Sequence, residues 1–380
     1  MDFALTDEHK MIQETARDFA DKELLPIAEQ VDETKEPPLE VVKKLGELGF
    51  LGMMVPEEHG GAGLDDISYV LAMEEISRGC ATTGVIMDVN NSLVCEPLNM
   101  YANDEQKKRV LTPLAQGELL GAYCLTEPGA GSDAGSIKCR AVEDGDDYVL
   151  NGTKIFVTNG GFADIFIIFA VTDPEKKTRG ITAFIVEQDR PGVKRGTREK
   201  TMGIRGSMTY EIILEDARIP KANVLGEPGR GFKIGMEALD SGRIGIASQA
   251  IGIARAAFDR ALNHAKERQQ FGRPIGDFQA IQWMLADMST KIEAAHLLTL
   301  SAAWLRVSGG DYVTASAQAK LFAGRVAVEV ADAAIQIHGG YGYTQEYHVE
   351  RHFRDAKITE LYEGTSEIQR LIIARRLIRG

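Results

Sequence analysis

The segment Tyr362-Glu363-Gly364-Thr365-Ser366 sets a carboxylate between an aromatic residue and a glycine, directly ahead of a stretch that reads as a new helix. Ser366, with Gln369 three residues on, fits a capping box, and Thr365 or Ser366 can satisfy the free N–H groups of that helix start. A carboxylate carried on such a turn is rigidly aimed and partly shielded from water. Burial raises its pKa toward neutrality, which suits a base that must remove a weakly acidic C–H proton. The plain alternative is an acid that sits at a helix N-terminus because the dipole favours it there.

Three further clusters bear on that choice. The run Tyr123-Cys124-Leu125-Thr126-Glu127-Pro128-Gly129-Ala130-Gly131-Ser132-Asp133 is a glycine-rich loop after a strand. Such a loop brings backbone N–H groups against an electron-rich ligand with no side chain between, although a simple β-turn loop has the same local composition. It is not G-x-G-x-x-G and no helix pattern follows, which argues against a βαβ dinucleotide fold. Lys266-Glu267-Arg268-Gln269-Gln270-Phe271-Gly272-Arg273 joins a helix end, cations and an aromatic. That set could meet a pyrophosphate and an adenine, or be only a basic helix C-terminus. In Gln336-Ile337-His338-Gly339-Gly340-Tyr341-Gly342-Tyr343 a C-cap explains Gly339, but not why the glycines continue. His338 has no partner at ligand spacing, so no metal site is expected.

The elements that must position these residues fall in the order α, β, α. Helical periodicity covers Thr6 to about Glu33 (bent near Pro26), then Leu39–Leu48, Ile67–Arg78, Thr82–Leu98 and Asp104–Leu114. After Gly117 short β-branched runs appear at Ala122–Leu125, Ser136–Val142, Asp147–Leu150, Lys154–Thr158, Ile165–Val171, Thr182–Val186 and Thr209–Leu214. Asn151-Gly152 and Asn159-Gly160-Gly161 read as turns between them. From Gly231 long helices resume, about Phe232–Gln269, Phe278–Gly309 and Thr314–Ile337, with a last one from Thr365 or Ser366. The expected fold is α+β, with a helical domain at 1–118, a β-barrel or sandwich domain at 119–222 and a four-helix bundle at 223–380. A net charge of −13 and a pI near 5.2 argue against non-specific nucleic-acid binding. Four cysteines without a C-x-x-C pair suit a reducing compartment. No apolar run is long enough for a membrane span, and Met1-Asp2-Phe3-Ala4 carries no basic leader, so a cytoplasmic location is expected.

Taken together, the Thr126–Asp133 loop, the Arg268/Phe271 helix end, the Gln336–Gly340 turn and Tyr362-Glu363-Gly364-Thr365 resemble the acyl-CoA dehydrogenase family, over essentially the whole chain. The resemblance implies a homotetramer with one FAD per subunit, acting on an acyl-CoA and passing electrons to an electron-transferring flavoprotein. Matched position by position, it sets the flavin ring against Tyr123, Leu125 and Thr126, with Phe156 and Thr158 opposite and Thr158 at the N5 edge. It gives Gly131 and Ser132 to the pyrophosphate, and Ser132 also to the CoA arm. Arg268, Phe271, Gln279, Gln336 and Gly340 of a neighbouring subunit would hold the ADP half, while Thr365 and Glu367 complete the flavin site. Asp240, Arg243 and Gly364 match substrate-binding positions. Glu363 is then the base that takes the α-proton, its backbone N–H stabilises the enolate oxygen, and the flavin receives the β-hydride.

One position departs from the short-chain pattern, which usually has a small neutral residue where this chain has Asp88. Val85, Asp88, Val89 and Ser92 share one helical face, at the place where the family lines its acyl pocket. A carboxylate buried beside an alkyl tail is costly unless it has chemistry to do. Asp88 is therefore read as a second base, which would permit 1,4-dehydrogenation of cyclohex-1-ene-1-carbonyl-CoA to a cyclic diene. Local capping, or pairing with a Lys or Arg at a subunit contact, is the alternative. Ordinary α,β-dehydrogenation of a short or branched acyl-CoA or of cyclohexane-1-carbonyl-CoA, an acyl-CoA oxidase, and a non-catalytic scaffold are the competing functions.

Overall fold

Thr6 starts the first helix, its hydroxyl accepting the His9 N–H at 3.1 Å. The computed structural model, which describes residues 4–379, continues as α1 (Asp7–Phe19), a π-helical turn ahead of Pro26, α2 (Ala28–Thr34), α3 (Leu39–Glu47), α4 (Asp66–Gly79) and α5 (Ala81–Asp88). A π-helical segment, Val89–Cys95, then leads into α6 (Glu96–Tyr101). Such widened turns break the regular ladder and need outside support. Two buried asparagines give it. The Asn90 amide donates to Leu51 O at 2.9 Å and Leu114 O at 3.1 Å, and the Asn91 amide donates to Phe50 O at 2.8 Å. The helix that carries Asp88 is thereby stapled to the loops around it. The short α7 (Asp104–Gln106) and α8 (Thr112–Ala115) close this region.

The middle region is one sheet of β1 (Gly121–Cys124), β2 (Arg140–Asp144), β3 (Asp147–Val157), β4 (Ile165–Val171), β5 (Ile181–Glu187), β6 (Val193–Arg198), β7 (Tyr210–Pro220) and β8 (Val224–Leu225). Its order is β6-β7-β3-β2-β4-β5-β8, with β1 parallel to β4. β4 is apolar on both faces because both are covered. Ile165, Ile167 and Phe169 join the core shared with the helices, while Phe166, Ile168 and Ala170 fill the core inside the β region. Three local expectations change. Asn151-Gly152 is no turn: β3 runs straight through it, with a register shift between Leu150 and Gly152. Asn151 is pinned there by the Asp216 N–H, which donates to its Oδ1 at 2.9 Å, so a turn dipeptide serves as a bulge. The second strand begins at Arg140 rather than Ser136, since residues 134–136 form a 3-10 turn. β6 was hidden by its polarity, as expected of an edge strand.

The helical C-terminal region comprises α9 (Gly231–Glu267), α10 (Gln279–Val307), α11 (Val313–His338), α12 (Val349–Ile358) and α13 (Ser366–Arg379). Ala247, Ala250, Ala254, Ala257 and Ala261 on α9, with Ala319, Ala323, Ala327 and Ala331 on α11, are all buried. Small side chains at three- and four-residue spacing let two long helices approach closely and pack ridge into groove. α12, absent from the sequence reading, is the element that delivers Glu363. Arg354 donates to Asp32 of α2 at 2.6 and 3.0 Å, and Asp355 accepts the Ile204 N–H at 2.6 Å, which ties α12 to both other regions. No helix among the described residues is long and apolar enough to cross a membrane.

Candidate active site

Glu363 occupies the left-handed region at φ 51°, followed by Gly364 at φ 97°. For a glutamate that conformation costs on the order of 1–3 kcal/mol and persists only when neighbours fix it. Two side chains do so. Lys320, buried on α11, donates its ammonium to Gly364 O at 2.7 Å. Gln369 donates to the same carbonyl at 2.9 Å and to Glu363 O at 3.3 Å. The expected capping box changes accordingly. Thr365, not Ser366, precedes the helix and accepts the Ile368 N–H at 3.4 Å, while Gln369 clamps the turn instead of answering the cap.

The carboxyl of Glu363 lies against α9, where a methyl group added at Gly242 would stand 2.2 Å from its Oε2. One turn on, a methyl group at Gly245 would stand 1.9 Å from Asp88 Oδ1. Both acids need these glycines, and both reach the same face of the same helix. Asp88 is fully buried; Tyr69 donates to its Oδ1 at 2.7 Å and Ser92 at 3.1 Å. Its Oδ2 has no hydrogen-bond partner, nor has Oε2 of Glu363. No cation pairs with Asp88 among the described residues, so neither local capping nor a salt bridge accounts for it. Burial raises Asp88 to about 6, against the pull of its hydrogen bonds from Tyr69, Glu363 and Ser92. Glu363 is raised well above the ordinary glutamate range by burial first and the Asp88 charge second, with Lys320 and Arg243 acting in the opposite sense.

The glycine-rich loop is held from behind. Glu127 accepts from Lys154 at 2.7 Å, from the Cys139 N–H at 2.9 Å and from the Lys138 N–H at 2.5 Å, and Lys154 also donates to Leu125 O at 3.1 Å. This buried pair fixes residues 125–130 with every polar atom used, leaving the loop front clear. A methyl group at Gly131 would meet no atom within 4 Å, and Ser132 is exposed. Next to Ile155, whose N–H donates to Thr126 O at 2.9 Å, stands Phe156, 61% exposed and at φ 56°, an aromatic that the backbone holds out of the core under strain. Tyr123, Thr126 and Thr158 are half-buried and Leu125 buried. An uncluttered backbone loop facing an exposed ring fits a planar isoalloxazine and its pyrophosphate. Thr365 and Glu367 stand at the start of α13, next to the Glu363 turn.

Arg268 caps the far end of α9, 26 residues beyond Gly242, which is about 39 Å at 1.5 Å per residue. There Arg268 stacks over Tyr341 at 5.2 Å and, with Gly339 and Gly340, lines a cavity of about 440 Å³. Phe271 is 94% exposed, and Gln279 and Gln336 are exposed on neighbouring helix ends. Within one chain this group is not brought to Glu363. Arg243 is buried beside Asp240, which it pairs with one helical turn away. Sequence reading missed Tyr69, Lys320, Lys154 and Gly245. The available signal was a lone lysine amid apolar residues, at Ala319-Lys320-Leu321 and Thr153-Lys154-Ile155.

Models of the acyl-CoA dehydrogenase N-terminal, middle and C-terminal domains match residues 6–118, 122–217 and 229–378. A mitochondrial short-chain specific acyl-CoA dehydrogenase of Homo sapiens is 53% identical over 99% of this chain and 91% of its own. Butyryl-CoA dehydrogenase from Megasphaera elsdenii superposes with a TM-score of 0.98 at 45% identity, covering all of both chains. A chain of the structure described as electron transferring flavoprotein of Acidaminococcus fermentans superposes at 0.99 with 49% identity, again over all of both. The chain belongs to the acyl-CoA dehydrogenase family. It is an FAD-dependent oxidoreductase acting on CH–CH bonds.

Proposed function

We propose that the enzyme oxidises a small acyl-CoA, and that its preferred substrate is an unsaturated alicyclic thioester such as cyclohex-1-ene-1-carbonyl-CoA. The observation that carries this reading is Asp88, buried beside Glu363 with two hydroxyl donors and no cation. A saturated tail gains nothing from such a group, which is penalised by burial. A ring that must release a proton at a second carbon does.

FAD, when bound, accepts the hydride. Tyr123, Leu125, Thr126, Phe156 and Thr158 are the residues that would orient its ring, with Gly131 and Ser132 at the pyrophosphate. In the 1,4 sense the departing hydrogens stand on the two ring carbons that flank the existing double bond. The Asp88 carboxylate takes one as a proton, and its bonding pair forms a new double bond to the neighbouring carbon. The original pair shifts to the other flanking carbon, from which the hydride leaves. In the 1,2 sense Glu363 takes the α-proton, and its backbone N–H is the donor assigned to the thioester oxygen. The short-chain and butyryl-CoA relatives favour a second reading, simple oxidation of a straight short acyl-CoA.

The flavin site is further proposed to be shared between subunits of a homotetramer. The Arg268 group stands about 39 Å along α9 from Gly242, against which Glu363 lies, too far for one dinucleotide beside Glu363 to reach, so Arg268, Phe271, Gln279, Gln336 and Gly340 would serve a neighbouring chain's FAD. The Acidaminococcus likeness supports an electron-transferring flavoprotein as acceptor. Anaerobic bleaching of the flavin by a panel of cyclic, branched and straight acyl-CoA esters tests the substrate. Asp88→Ser should abolish bleaching by the cyclic enoyl ester and spare butyryl-CoA; equal effects on both would end the cyclic reading.

A further inference from the structure

Two acids that touch the same helix face one turn apart cannot both be charged without help. Asp88 Oδ2 and Glu363 Oε2 are buried, each lacks a hydrogen-bond partner among the described residues, and the two carboxyl groups lie against Gly245 and Gly242, three residues apart on one face of α9. A proton between them would satisfy both oxygens and remove one of two like charges. Its position follows from the remaining contacts. Asp88 Oδ1 accepts the Tyr69 hydroxyl at 2.7 Å, with the Ser92 hydroxyl at 3.1 Å shared with the Asp88 backbone carbonyl at 2.8 Å, and these donors stabilise a negative charge. Glu363 receives none.

We infer that in the substrate-free enzyme the pair holds a single proton, carried by Glu363 and donated to Asp88 Oδ2, with Tyr69 and Ser92 fixing the charge on Asp88. The group that meets an arriving acyl chain as a free base is then Asp88. Glu363 becomes one only when the substrate parts the two and its proton is passed on. This holds for the enzyme before any substrate arrives, so it does not rest on which acyl group enters.

The other groups around the pair are consistent with that placement. Tyr69 on α4 and Tyr362 on the base turn are held neutral by burial, as is Tyr123 at the end of β1. Glu96 lies further along the site helix, and burial pushes it up to about 7. Two cations, Lys320 on α11 and Arg243 on α9, favour the ionisation of Glu363. Arg243 is already paired with Asp240, however, and the Lys320 ammonium is committed to Gly364 O and lowered to about 7 by burial.

Infrared difference spectra of substrate-free holoenzyme, titrated across neutral pH, test this. The parent-minus-Glu363→Gln difference at pH 7 should carry a protonated-carboxyl carbonyl band, which sets it apart from that of Glu96, pushed up to about 7 by burial. In Asp88→Asn the band's titration midpoint should move to at least about tenfold higher proton concentration, one pK unit, because the neighbouring charge is gone. Tyr69→Phe, which keeps the ring, should weaken the hold on the Asp88 charge and move the pair's first ionisation to higher pH. A parent-minus-Glu363→Gln difference at pH 7 without a protonated-carboxyl band, or a midpoint unmoved by both Asp88→Asn and Tyr69→Phe, overturns the inference.

Discussion

At the scale of single residues, the site is governed by what a carboxyl group can reach. Glu363→Gln keeps the shape and the strained turn but removes the proposed proton acceptor. Turnover of α,β-dehydrogenated substrates should fall by roughly a hundred- to ten-thousand-fold, while flavin content stays near the parent's; anaerobic flavin reduction measures the first and absorbance the second. Glu363 was legible only together with the other motifs, because an acid ahead of a helix has a plain structural use at its N-terminus. Asp88 was legible because a charge among Val85, Ile86, Met87 and Val89 breaks an apolar pattern. Tyr69 was not, since a tyrosine in the buried stripe of α4 is indistinguishable from core until its hydroxyl is seen to meet Asp88 at 2.7 Å. Lys320 was not, because a lysine on a long helix is ordinarily a solvated one. Only the tertiary fold reveals that its ammonium ends on Gly364 O.

At the scale of elements, position depends on supports that carry no chemistry. The flavin-facing loop is held in shape by Lys154 and Glu127 beneath it. Lys154→Met leaves a buried carboxylate uncompensated, which should cost about 3–5 kcal/mol and show as a lowered urea midpoint with a flavin-to-protein ratio well below one. Adding Glu127→Gln should recover part of that loss, because the orphan charge is then removed as well. The gross element order was readable from periodicity, since helices of this length and strands as apolar as β4 leave little ambiguity. Errors fell where local composition and tertiary need part company. Asn151-Gly152 has the residues of a tight turn, but its neighbours on β2 and β7 keep it extended as a bulge. The polar edge strand β6 and the amphipathic α12 are set by their contacts and leave only a weak trace in the sequence.

At the scale of the whole molecule, the acid pair lowers stability for the sake of the site. Asp88 is raised from 3.8 to about 6, so between those values the native state keeps a proton that the unfolded chain has released. Stability from this group is therefore full below pH 4 and declines as pH rises through 6. Asp88→Asn should flatten that decline and leave the variant about 2–3 kcal/mol more stable than the parent at pH 6.5, by denaturant titration at several pH values. The reading is best taken there because Lys320, lowered to about 7, contributes in the opposite direction above that. The 37-residue α9 has a consequence of its own. If its two ends serve flavins in different protomers, a chain carrying Glu363→Gln and a chain carrying Arg268→Ala are each inactive alone for separate reasons. Expressed together, they should form mixed assemblies in which some clefts take both intact halves, one from each kind of chain. Two dead alleles would thus rescue one another in the same cell, and no rescue at all would mean that each chain builds its cleft unaided.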